Sequence, residues 1–331
     1  MRNLPNASEI IENLRKSAAG DKAALERLIA PDVTWDVSSP VEQLTGRQDV
    51  SKEFFATLLN AFGHVERRDL LFLSGHNRRA EGGQWVASVC HYVGTFAQPL
   101  WGIRPHGRLV FLRAGEFYRI ENGQIVLARI ILDIPDLLRQ TGRLSVPHMH
   151  GTEITFPAPA TLDGVHPVGD QGEQTLDIIE RMIGDLHVFD PETMTSEGQT
   201  GSTGVWADDM MWYGPAMIGS NARWDGFVQD HRRPFLTAFP DRKGGNHYCR
   251  IGQGNYAAIS GWPSMTMTHQ GDYLGVKATG KALTLRVMDF YRCVNVGPGR
   301  GQIAENWVML DMLELMQQMG RDLIAEAADL P

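Results

Sequence analysis

Residues 102–119 read GIRPHGRLVFLRAGEFYR, and residues 275–292 read GVKATGKALTLRVMDFYR. Seven of these 18 positions are identical, among them the closing Phe-Tyr-Arg, and Glu116 stands against Asp289. Average composition gives about one identity by chance. The match continues outward in register. Asp32-Val33-Thr34-Trp35 answers Asp209-Met210-Met211-Trp212 at an offset of 177, Phe62 answers Phe239 at that same offset, and Gly46 answers Gly219 at 173. Downstream, Gly123-Gln124-Ile125 answers Gly301-Gln302-Ile303, and Asp133, Gln140 and Gly142 answer Asp311, Gln318 and Gly320. The chain is a tandem duplication, which has to be recognised before any element is assigned.

Each copy carries the same order of elements. In the first, Asn6-Ala7-Ser8-Glu9 has the spacing of a capping box and opens a helix. A helical stretch over 21–29, a strand near 33–37 and a helix near 47–62 follow. Four stretches with strand character come next, at 66–74, 84–95, 107–121 and 124–132. Asn122-Gly123 between the last two is a hairpin signal. Ile134–Gln140 closes the unit as a short helix. Helices first and an antiparallel sheet after them make an α+β unit, not a doubly wound one. The expected domains are 1–142 and 173–331. Residues 143–172, with four prolines and several glycines, have linker composition. Within them Thr152–Phe156 is expected to add an edge strand or to lie across a partner domain.

At 331 residues the chain suits two domains better than one. It has 43% hydrophobic and 21% charged residues and no apolar run of membrane-spanning length. The first residues lack the apolar core of a secretion signal, and three scattered cysteines make no disulfide framework. These features point to a cytoplasmic protein. A net charge of −8 argues against a nucleic-acid surface.

Strand periodicity singles out one acid. In a strand over 282–293, Asp289 shares a face with Leu283, Leu285, Val287, Tyr291 and Cys293, whereas Arg286 and Arg292 point the other way. A carboxyl among apolar neighbours has its pKa raised, as a base acting on a carbon-bound proton requires. The same pattern fits a buried carboxyl in a pocket that only binds. Met265, Met267 and His269 share one parity on the preceding strand and are expected to face inward too. In copy one, Glu116 shares its face with Tyr118, and His91 lies nearby in sequence. These three mark a second pocket, degenerate or differently specialised.

Thr268-His269-Gln270-Gly271-Asp272-Tyr273-Leu274-Gly275-Val276, then Met288-Asp289-Phe290-Tyr291-Arg292 and Gly301-Gln302-Ile303-Ala304-Glu305-Asn306-Trp307, resemble the signatures of SnoaL-like polyketide cyclases. Those proteins belong to the nuclear-transport-factor-2-like superfamily. The resemblance implies two tandem cones, each a curved antiparallel sheet wrapped around helices over an apolar pocket. It implies an Asp acting as general acid/base in an intramolecular aldol closure, with no metal or cofactor and with a His holding substrate oxygens. The Asp falls on Asp289 and the His on His269. The family's Glu-His-Trp run is here Glu305-Asn306-Trp307, so position 306 has no titratable group. Copy one departs further, with Phe96 at the His269 position and Leu127-Ala128-Arg129 for the run.

The expected function is therefore cofactor-independent chemistry on a small apolar carbonyl-bearing ligand in the second domain. Met265, Met267, Tyr291, Trp212, Asn306 and Trp307 are expected to line its pocket, with Trp224 and Trp262 as further candidates. The alternatives are a non-catalytic binding or interaction module, or a cofactor-free hydrolase. The hydrolase chemistry needs a carboxylate pair bridged by Arg, and the sequence offers no obvious Asp-Arg-Asp set. His148-Met149-His150 could hold a metal but lacks a third ligand. Single-domain relatives of this kind pair, so the duplicated chain is expected to form a sheet-to-sheet pseudo-dimer within itself. A further homodimer is compatible with it.

Overall fold

A computed structural model describes residues 7–146, 150–196 and 198–330. The first copy contains β1 (Ile29–Val37), β2 (Gln43–Thr45), β3 (Glu66–His76), β4 (Gln84–Thr95), β5 (Leu109–Glu121) and β6 (Gln124–Leu132). The second contains β7 (Trp206–Tyr213), β8 (Asn221–Ala222), β9 (Cys249–Gln253), β10 (Tyr256–Thr268), β11 (Ala282–Gly297) and β12 (Arg300–Leu310). The two six-stranded sheets have the orders β2-β1-β6-β5-β4-β3 and β8-β7-β12-β11-β10-β9, the same topology twice. The expectation of antiparallel sheets needs one correction: β1 runs parallel to β6, and β7 parallel to β12, so both sheets are mixed. The helix at 47–62 carries the chain from β2 to β3 at the far edge of the sheet, and the meander from β3 to β6 then lays β6 beside β1.

Local chemistry fixes several boundaries. Asp21, Asp133 and Asp311 accept backbone N–H bonds at the starts of their helices. The Asn6 cap lies outside the described residues. Asn122 and Gly123, both at positive φ, turn β5 into β6 with Glu121 opposite Gln124. Helices at 47–62 and 223–238 each contain a wide π-helical turn, over Val50–Ala56 and Val228–Arg232. Such turns re-aim side chains toward the interior and recur at functional sites.

Each sheet has one face on its own helices and the other on the opposite sheet. Trp85, Phe117, Tyr213, Tyr256, Phe290 and Trp307 belong to a buried cluster between the sheets, distinct from the core inside the cones. Phe117 and Phe290, equivalent in the repeat, meet with ring centroids 5.5 Å apart. Close approach is needed here: a Cβ on Gly115 would lie 2.8 Å from Met309 Cγ. Thr152–Phe156 contributes a single bridge, Thr152 to Ser220, and buries Phe156 between the sheets with the Arg113 guanidinium 4.0 Å from its ring centroid. Of the two expected roles, the segment takes the one across a partner domain. No helix among the described residues is long and apolar enough to cross a membrane.

Candidate active site

On β11 the period-two pattern holds. Leu283, Leu285, Val287, Tyr291 and Cys293 lie in the core of the second cone, whereas Met288 and Phe290 lie between the sheets. Asp289 shares the inner face. Arg286 and Arg292 are on the outer one, bound to Asp311 and Glu305 respectively. Register then builds a row. Tyr291 pairs with Asn306, and Asn306 with Trp212, across three neighbouring strands and on the inner face. Asn306 holds its Nδ2 3.5 Å from Asp289 Oδ1 and donates to the Phe290 carbonyl at 3.1 Å. Burial pushes the Asp289 carboxyl up to about 7, and Asn306 and Tyr291 only partly offset it. Among the described residues no cation is paired with it. The side chain is enclosed by the domain yet keeps some accessible surface, so space for water reaches it.

His231 lies against the Trp212 end of this row, and strand periodicity does not reach it. It lies in the π-helical turn of 223–238, stacked on Trp212 with centroids 4.5 Å apart and planes 16° apart. Phe227 and Phe235 flank its ring at 5.4 and 5.5 Å. Its Nδ1 is buried without a partner, and burial, helped by Arg242 and Arg232, pushes its pKa down to about 3. It is therefore a neutral imidazole at neutral pH. A signal was available in the spacing of four residues through Phe227, His231, Phe235 and Phe239, and in Phe54 at the same place in copy one.

Three expected residues are elsewhere. His269 is buried, with Nδ1 3.1 Å from Thr279 Oγ1 and its backbone N–H bonded to Lys281. Lys281 precedes Asp289 by eight residues of extended strand, about 26 Å along β11 at roughly 3.3 Å each. His269 and Asp289 therefore do not share a proton. Met265 and Met267 pair with Leu285 and Leu283, on the inner face between the two. Trp307 faces the other sheet, 5.2 Å from Tyr213, and donates its Nε1 to the Pro157 carbonyl at 3.0 Å. Residues adjacent in a strand point to opposite sides, so Asn306 facing inward sends Trp307 outward. Trp262 also packs on the outer face, beneath the Arg286 guanidinium, whereas Trp224 stays in the cone's core.

The first cone treats its acid differently. Arg67 donates to Glu116 Oε1 at 2.9 Å and sets its other Nη 2.7 Å from Oε2. Tyr92 donates to Oε1 at 2.6 Å. Arg67 also reaches Ser88 at 3.0 Å and Asp69 at 2.8 Å, and Arg15 lies 2.9 Å from Asp69. Burial opposes charge on Glu116, but Arg67, Tyr92 and Tyr118 outweigh it and hold the carboxyl below its ordinary range. A carboxylate–Arg–carboxylate set, Asp69–Arg67–Glu116, is thus present where the sequence suggested none. Its three side chains are wholly buried and ion-paired, Arg67 with both carboxylates. Tyr118 lies beside Glu116 on the inner face, 5.7 Å from Trp35. His91 does not join them. It pairs with Arg113 on the outer face, where burial pushes it down to about 4. His148 and Met149 lie outside the described residues, and His150 sets Nδ1 2.9 Å from the Asp230 carbonyl. Among the described residues no three His, Cys, Asp or Glu side chains gather as metal ligands.

A family model described as SnoaL-like polyketide cyclase matches residues 10–141 and again residues 202–319. The chain belongs to the SnoaL-like polyketide cyclase family. Both copies are recognised separately, which accords with the duplicated topology. No curated protein matches the chain. Among solved structures, IdmH of Streptomyces antibioticus, provisionally described as a polyketide cyclase, is 22% identical over 41% of this chain and 99% of its own, with a TM-score of 0.35. A provisionally described SnoaL-like polyketide cyclase of Jannaschia sp. CCS1 is 17% identical over 42% of this chain and 94% of its own, with a TM-score of 0.34. AclR of Streptomyces galilaeus, provisionally described as a hydroxylase, is 18% identical over 42% and 89%, with a TM-score of 0.33. Each match spans the length of one copy of this SnoaL-like repeat.

Proposed function

We propose that the second domain, over about 173–331, performs carbonyl chemistry of the cyclase type and that Asp289 is its general acid/base. The observation that carries this reading is a carboxyl with no cation beside it, on an apolar inner face, poised at about 7. Near neutral pH about half of it is ionised, which suits it to both directions of proton transfer. The carboxylate takes the proton from a carbon flanked by carbonyl groups. The enolate carbon so formed bonds to a second carbonyl carbon of the same molecule, and the oxygen of that carbonyl takes the proton back from Asp289. Atoms balance without a cofactor. Asn306 and Tyr291 hold the carboxyl, and the neutral His231, backed by Trp212, offers a hydrogen bond to a substrate oxygen. The apolar faces of Met265 and Met267 suit an apolar ligand. In this reading the first domain, over about 1–142, is a support whose acid is neutralised, and the sheet-to-sheet contact replaces the pairing of two single-domain chains.

The test is deuterium exchange at the acidic carbon of a panel of β-keto esters and 1,3-diketones in D2O, followed by proton NMR. The wild-type chain is expected to accelerate exchange of at least one compound, and Asp289→Asn to slow it by about 10²–10⁴-fold. Glu116→Gln is expected to leave the rate within about tenfold. Exchange that survives Asp289→Asn at the wild-type rate contradicts the reading.

A further inference from the structure

The pseudo-two-fold relation between the sheets creates two equivalent grooves where their edges meet, and the chain fills only one. On that side the segment 156–167 lies along the junction. Pro157 accepts from Trp307, Tyr256 donates its hydroxyl to Asp163, Phe72 donates its backbone N–H to Gly164 at 2.9 Å, and Gln253 reaches the Pro167 carbonyl at 2.9 Å. Among the described residues the counterpart groove has no such segment. By the repeat offsets Arg129 replaces Trp307 there and Asp36 replaces Tyr213, and by their pairing with the equivalent Arg119 and Arg292 Trp85 replaces Tyr256. It encloses a cavity of about 310 Å³ between the first domain's 79–81 turn and Arg129 and the second domain's 246–248 and Trp262. That volume is at the small end of the roughly 300–1,000 Å³ of ligand pockets.

The lining of this cavity carries two guanidinium groups, those of Arg79 and Arg129, with the indole of Trp262 beside them. Arg129 lies over the Tyr248 ring at 4.0 Å, and its Nε is buried without a hydrogen bond, its nearest carboxylate being Asp36 at 3.8 Å. His247 has a buried Nδ1 without a partner. The Tyr248 hydroxyl sits beside Ser260 and Arg129. Arg79 uses its Nε on the His247 carbonyl at 3.1 Å, and among the described residues its Nη groups are in no ion pair. Burial, together with Arg250 and Arg79, pushes His247 down to about 3, as expected where cations outnumber anions. The one carboxylate lining the cavity is the exposed Glu81. A buried donor left unpaired, such as Arg129 Nε, is costly, and an oxyanion that pairs with the Arg129 guanidinium recovers that cost.

We propose that this open groove binds a small oxyanion-bearing ligand, a carboxylate or phosphate on a flat apolar body, with the anion between Arg129 and Arg79 and the body against Trp262. The site is separate from Asp289, which faces the interior of the second cone. Isothermal titration of the full chain with benzoate, phenyl phosphate and neutral benzamide tests it. One of the two anions is expected to bind, with benzamide at least about tenfold weaker. Tighter benzoate assigns a carboxylate ligand and tighter phenyl phosphate a phosphate. Arg129→Gln is expected to weaken the anion by about 10- to 100-fold, and the exposed Arg79→Gln, which leaves the fold intact, by about tenfold. Trp262→Phe should remove any ligand-induced fluorescence change. Asp289→Asn should bind the anion as wild type does. Failure of both anions at millimolar concentration overturns the proposal, as does benzamide binding equally well. Undiminished binding in both Arg variants, or binding lost in Asp289→Asn, also overturns it.

Discussion

Glu116 and Asp289 occupy the same place on equivalent strands, yet the two cones give them opposite surroundings. Glu116 has Arg67 at 2.7 Å, a tyrosine hydroxyl and no accessible surface. Asp289 has an amide at 3.5 Å, no cation and some contact with space for water. The lesson is that position on the inner face makes a carboxyl buried, and the partner decides what burial does to it. With Arg67 the charge is locked in and the group becomes structural. With only an amide and a hydroxyl beside it, burial is partly offset and the acid is poised near neutrality. The imidazole follows the same division, since His231 in the second cone stands where Phe54 fills the first.

Breaking the first site should produce the largest stability change. Glu116→Gln leaves Arg67 buried without its carboxylate, and urea denaturation at pH 8 is expected to show a loss of about 3–5 kcal/mol. Because the folded pKa of Glu116 is lowered, its contribution is present above the unfolded value and is lost as pH falls through the folded one. The deficit of the variant should therefore shrink in acid.

Asp289→Asn should act with the opposite sign. The folded pKa of about 7 lies above the unfolded value of roughly 3.9, so between those values the folded state binds more protons. Wild-type stability contributed by this group falls as pH rises through that window. The variant should match wild type near pH 4 and exceed it at pH 8 by roughly 2 kcal/mol, about half of what the full shift implies, because Asp289 retains solvent contact. A variant less stable than wild type at pH 8 would show that Asp289 has a partner after all.

The smallest effect is expected from His231→Phe, which makes the second cone resemble the first at this point. Phe54 shows that the shape fits, so stability should change by less than about 1.5 kcal/mol in urea denaturation. Loss of one hydrogen bond to substrate should lower the exchange rate about 2- to 12-fold. A drop as large as that of Asp289→Asn would promote His231 to a proton-transfer role.

The repeat was legible because its identities fall in register over both copies, and Asp289 and Tyr291 were legible because β11 keeps period two through them. Trp307 was misplaced by treating Glu305-Asn306-Trp307 as one run, although alternation separates its middle member from its neighbours. His91 needed register: Ser88, three residues before it, is the residue opposite Glu116, which puts His91 on the other face. His269 shared the right face but not the right height along the strand, and parity carries no information about height. Arg67 reaches Glu116 from β3 across the intervening β4, a pairing that spans 49 residues and leaves no local trace. His231 sat in an aromatic helical stripe that reads as core.

The contrast between the two acids is open to direct measurement without any substrate. Carbon-13 NMR titration of the side-chain carboxyls, with Asp289→Asn and Glu116→Gln to assign them, reads both in one sample. The account predicts an Asp289 midpoint near 7 and a Glu116 midpoint below the ordinary glutamate value of about 4.3. An Asp289 midpoint near 4, or two acids titrating together, would contradict it.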